Sequence, residues 1–145
     1  MRRMLLRSMV AGLMAASFLA VAPSAFAQAV TYKADLKAST QVPPNDSKGT
    51  GALTATYDPA SKKLSYTVNY KDLSGPATAA HFHGPAAAGA NAGVVVPASA
   101  PLTSPIKGEA TLTDAQAADL AAGRWYFNIH TAANPPGEIR GQVMK

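Results

Sequence analysis

Apolar and polar positions alternate with period two along most of the chain after residue 29. Val30, Tyr32, Ala34 and Leu36 alternate with Thr31, Lys33, Asp35 and Lys37. Leu53, Ala55 and Tyr57 alternate with Thr54 and Thr56. Leu64, Tyr66, Val68 and Tyr70 alternate with Lys63, Ser65, Thr67 and Asn69. Later, Trp125, Phe127 and Ile129 alternate with Tyr126, Asn128 and His130, and Ile139, Gly141 and Val143 with Arg140 and Gln142. Successive side chains of a strand point to opposite faces. Each run therefore predicts a half-buried antiparallel strand with one wet face. Weaker strands are predicted over residues 77–83, 93–96 and 106–112.

The breaks between these runs carry turn chemistry. Asp58-Pro59-Ala60-Ser61 reads as a hairpin loop with proline at the second turn position. Pro43-Pro44-Asn45-Asp46, the stretch 97–105 and Ala132-Ala133-Asn134-Pro135-Pro136-Gly137 read as loops. The Ala/Gly-rich stretch 86–93 reads as a mobile loop. Only residues 114–122 have a helical look: Thr113 is placed to cap, Gln116 to complete a capping box, and Gly123 to stop the helix. Eight short strands and one short helix predict an all-β fold. The expected architecture is an immunoglobulin-like or Greek-key antiparallel β-sandwich or barrel.

The first residues break this pattern. Arg2, Arg3 and Arg7 precede an apolar stretch over residues 9–22, and Ala25-Phe26-Ala27 fits a small-residue cleavage site. That order is the layout of a secretory signal, and the apolar stretch is short for a membrane span. The expectation is a signal peptide over residues 1–27 and one domain over 28–145, periplasmic or secreted, with no transmembrane span after cleavage.

Removing that segment changes the charge. The whole chain carries 13 Lys+Arg against 8 Asp+Glu, a formal +5. Three of those arginines leave with the signal, so the remainder is +2, too mild to argue for nucleic acid. Cysteine is absent, which excludes disulfides, thiolate metal sites and cysteine nucleophiles together. No serine-nucleophile motif, phosphate loop or dinucleotide fingerprint is present. Glu138 and Arg140 share strand parity, which predicts a weak surface ion pair. Tyr57, Tyr66, Tyr70 and Trp125 fall at apolar positions and are expected in the core.

The candidate chemistry rests on three histidines, His81, His83 and His130. His81-Phe82-His83 on a strand puts both imidazoles on one face and Phe82 on the other. His130 ends the strand that begins at Trp125 and lies on its non-core face. Three neutral imidazoles from two strands would suit copper or zinc with a position left for water. Glu138, Asn128 and Asn134 are the candidate further ligands or supporting partners. Whether His130 meets the pair depends on strand order, which the sequence leaves open.

Two longer motifs point to a family. Ala80-His81-Phe82-His83-Gly84-Pro85-Ala86, and the run from Trp125 through Asn134-Pro135-Pro136-Gly137-Glu138-Ile139-Arg140-Gly141-Gln142-Val143, resemble the CHRD domain of chordin and of many exported bacterial proteins. The resemblance spans roughly residues 32–143, with Pro136 standing where a glycine is common. It implies an immunoglobulin-like β-sandwich or barrel and includes all three histidine positions. It does not carry over chordin's role, which needs a larger architecture. An H-x-H on such a fold is also similar to copper/zinc superoxide dismutase, but three histidines cannot supply that enzyme's ligand set.

The expected function is thus a small exported module, non-enzymatic, binding copper or zinc through a His81/His83/His130 cluster. The alternatives are a metal-free structural or adhesion module that binds a protein or envelope polymer, and a metal-dependent enzyme built on the same cluster.

Overall fold

The computed structural model describes residues 27–145; the signal-peptide expectation lies outside them. The strands are β1 (Val30–Lys37), β2 (Thr50–Asp58), β3 (Lys63–Lys71), β4 (Ala77–His83), β5 (Val94–Pro97), β6 (Ile106–Thr111), β7 (Trp125–Thr131) and β8 (Ile139–Val143). A 3-10 turn, Ala38–Thr40, follows β1, and helix α1, Asp114–Ala121, precedes β7. All eight strands join one antiparallel sheet in the order β5-β4-β7-β8-β1-β2-β3-β6. The all-β expectation holds, in its barrel form.

The sheet coils because its apolar face must cover itself. Tyr66 on β3 and Phe82 on β4 are five places apart in sheet order. Yet their rings meet edge to face at 5.0 Å. Phe82 also packs on Phe127 at 4.8 Å and on Trp125 at 5.7 Å. These rings sit with Leu36, Leu53, Leu64, Val68 and Ile129 in one core. The barrel does not close fully, since β5 and β6 end the sheet without pairing each other. Between β8 and β1 the paired residues are Lys37 with Arg140 and Lys33 with Met144. That narrow seam joins two larger halves.

The predicted strands appear with their expected parity. Tyr32, Ala34 and Leu36 are buried on β1, Leu53, Ala55 and Tyr57 on β2, and Leu64, Tyr66 and Val68 on β3. The β2–β3 loop forms because the Asp58 carboxylate accepts from the Ala60 N–H and the Ser61 hydroxyl. Helix α1 carries the full capping box between Thr113 and Gln116. It stops at Gly123, whose φ of +70° suits a residue without Cβ.

Two expectations fail on β7 and β8. Tyr126, Asn128 and Arg140 should face water but are 3%, 2% and 2% exposed. Residues 84–93 and 132–137 fold over that outer face. The first of these is not a free loop. The Ala86 N–H donates to the Arg124 carbonyl, the Ala90 and Ala92 carbonyls accept from Arg140 and Tyr126, and Gly84 N–H donates to the Gly93 carbonyl. Small side chains let this segment lie close to the sheet.

Candidate metal centre

The pairing of β4 with β7 assembles the site. His81 lies opposite Asn128, His83 opposite Tyr126, and Ala79 opposite His130. One strand face thus carries His81, His83, Tyr126, Asn128 and His130. Phe82, Trp125, Phe127 and Ile129 point into the core from the other face. The apolar side anchors both strands, so the backbone under the histidines is held rigidly.

The three histidines converge. One ring nitrogen from each lies within 4.8 Å of the others. His81 Nδ1 is 3.2 Å from His130 Nε2. Two nitrogens bound to one zinc at 2.0–2.1 Å in tetrahedral geometry stand about 3.4 Å apart, so this pair is already at ligand spacing. Three of the expected site residues therefore meet, and Asn128 is with them.

Backbone carbonyls orient two of the rings. His83 Nδ1 is 2.9 Å from the Ala92 carbonyl, and His130 Nδ1 is 2.8 Å from the Pro135 carbonyl. A carbonyl only accepts, so each Nδ1 carries the proton and each Nε2 presents a lone pair. Both Nε2 atoms lie 3.0 Å from Asn128 Oδ1. The two Nε2 atoms thus converge on the Asn128 amide, with His81 Nδ1 beside them. The ring nitrogens that face this point could take a cation between them, and imidazoles held through their other nitrogen are the usual arrangement of metal ligands.

Electrostatics favour the neutral form of His81 and His83. Burial pushes the His81 pKa down, and the neighbouring His130 and His83 push it further. Burial likewise lowers that of His83, against the hydrogen bonds to Ala92 and Asn128, which favour its charged form. A neutral imidazole is the form that binds a metal.

Glu138 and Asn134 do not belong to this site. The buried Glu138 carboxylate accepts from the Ser47 and Ser74 hydroxyls at 2.5 and 2.6 Å. It also accepts from the Ser74 N–H, the Thr131 hydroxyl and the Asn134 amide. Burial alone would raise its pKa, but the donors from Ser47, Ser74 and Thr131 outweigh that and bring it down to about 2. The expected Glu138–Arg140 surface pair is absent, because both residues are buried and turn to different partners. Glu138 ties together the loops after β1, β3 and β7.

The CHRD domain model matches residues 32–143. The chain belongs to the CHRD domain family. No curated protein and no solved structure matches the chain. The match covers every strand that builds the histidine cluster, and the CHRD domain begins at Tyr32, inside β1. Among the described residues no helix is long and apolar enough to cross a membrane.

Tyr126 and Arg140 were not expected in the site. Tyr126 stacks on His83 with ring centroids 4.7 Å apart. The Arg140 guanidinium carbon lies 3.4 Å from the Tyr126 centroid. Period-two parity puts both on the same face as His83, which is the signal that could have found them. Their burial comes from loop packing that parity does not encode.

Proposed function

We propose that this chain is an exported CHRD module that holds a copper or zinc ion through His81 Nδ1, His83 Nε2 and His130 Nε2. The observation that carries the reading is the convergence of two lone-pair-bearing Nε2 atoms on Asn128 Oδ1 beside His81. Imidazole sets suit both metals, and nitrogen ligands rank copper(II) above zinc. Among the described residues no backbone carbonyl fixes the His81 ring, so it is the ligand that shifts to complete the set. A three-nitrogen site leaves a position for water or a further ligand. The role so proposed is binding.

Titration of the purified, metal-stripped protein with copper(II) and zinc tests this. One equivalent should bind, and His81→Ala, His83→Ala and His130→Ala should each weaken binding by tenfold or more, in line with loss of a ligand. Equal, weak affinity in all four proteins would leave the metal-free module that binds a protein or envelope polymer as the better reading.

A further inference from the structure

Arg140 is a buried cation without an anion. It is 2% exposed, yet its guanidinium donates only to neutral oxygens, Asn91 Oδ1 at 2.8 Å and the Ala90 carbonyl at 2.5 Å. Among the described residues the ion pairs join Lys62 to Asp114, Lys63 to Glu109 and Arg124 to Asp119, and none involves Arg140. Burial lowers its pKa, and only Tyr126 acts in the opposite direction. A guanidinium has five N–H donors, so most of its fork is uncommitted here. Burying an uncompensated charge is costly unless something pairs with it.

A cavity of about 200 Å³ opens beside it, lined by Ser39, Thr40, Gln41, Ala88, Arg140 and Gln142 among others. Arg140 supplies the one charge in this lining, which matches a single negative charge. A doubly charged phosphate would meet no second cation. The neutral lining also offers acceptors. Gln142 Nε2 already donates to the Ala86 and Gly123 carbonyls, so its amide oxygen remains. The single Thr40 O–H is shared between the Lys37 and Arg140 carbonyls, so its lone pairs remain. A fitting ligand therefore carries one carboxylate and O–H donors. The volume is below the range of about 300–1,000 Å³ common for drug-sized ligands, so the ligand is small.

We propose that this cavity binds a small hydroxylated monocarboxylate of the sugar-acid type. Its carboxylate pairs with the Arg140 fork. Its hydroxyls donate to Thr40 and Gln142. The site is separate from the histidine cluster and does not depend on a metal there.

Calorimetric titration of the metal-stripped protein with galacturonate tests it, with acetate and inorganic phosphate as comparison probes. Galacturonate should bind saturably in the millimolar range or tighter. Both comparison anions should bind at least about tenfold more weakly, the scale of a lost charge-assisted or hydroxyl contact. Arg140→Lys should lose about tenfold through the lost bidentate fork. Ala88→Trp fills the cavity from an exposed loop position, so it should abolish binding while the thermal unfolding curve stays unchanged. His81→Ala should bind the acid like the parent protein. No saturable galacturonate binding at tens of millimolar, or full binding by Ala88→Trp, would overturn the proposal. So would equal affinity for acetate or phosphate, or loss of binding in His81→Ala.

Discussion

His83 lies flat on Tyr126, with ring planes 2° apart and centroids 4.7 Å apart. The two residues are paired across β4 and β7, so the sheet sets the stack. The Tyr126 hydroxyl and His83 Nδ1 both reach the Ala92 carbonyl, at 3.2 and 2.9 Å. Tyr126 thereby holds the one histidine that is nearly enclosed, and it passes the support on to Arg140 on its other side.

Tyr126 is therefore expected to position His83 for metal. Tyr126→Leu should weaken copper or zinc binding by about ten- to a hundredfold, the usual effect of removing a residue that orients a ligand. It should also cost about 2–4 kcal/mol of stability through the lost packing. Tyr126→Phe keeps the stack and should retain affinity within a few-fold. Parallel metal titrations and denaturant melts check both. Equal loss in the two variants would assign the effect to the hydroxyl instead.

Glu138 predicts an acid-sensitive fold. Its pKa is about 2 in the folded chain, against an ordinary 4.5. The lowered value means that the unfolded chain binds the proton more readily. The stabilisation is complete above about pH 4.5 and is lost as pH falls toward 2. The shift corresponds to about 3 kcal/mol. Glu138→Gln should lower stability at pH 7 by about that much and flatten the acid limb of a stability–pH curve. An unchanged acid limb would mean that another group governs it.

Gly108 is paired with Tyr66 across β3 and β6. A Cβ there would collide with the Tyr66 phenol. Gly108→Ala should therefore destabilise the protein by about 1–3 kcal/mol, the range for an overpacked site. Combining it with Tyr66→Leu should recover part of the loss. A double-mutant cycle with purely additive costs would refute the clash.

Export predicts a processed N-terminus. When the full chain is expressed in a bacterium with a working secretion pathway, the recovered protein should begin at Gln28. Intact-mass measurement of the periplasmic and medium fractions decides this. A chain that keeps residues 1–27 would remove the export half of the proposed function.

Much of the architecture was legible in the sequence. The capping box at Thr113 and Gln116 and the glycine stop at Gly123 depend on nearest neighbours along the chain, and they appear as expected. The strand runs of β1, β2 and β3 have one buried and one wet face, so period two identified their core residues. Strand β5 starts one residue later than expected and ends at Pro97, which an edge strand tolerates because its missing N–H has no partner to serve. The alternation misled on β7 and β8, because loops cover their outer face.

The alternation, the helix and its caps, and the placement of His81 and His83 on one face could all be read from the chain, because they follow from local backbone geometry. The absence of cysteine also removed thiolate ligands, which left the three imidazoles as the candidate metal ligands. Strand order was decided only in the folded chain. It put β4 beside β7 and so brought His130 to within 3.2 Å of His81. The same folding turned Glu138 away from Arg140 and left that cation buried beside a cavity. Those outcomes depend on contacts between residues about 50 to 90 positions apart in sequence, whose pairing is set by how the sheet coils over its core.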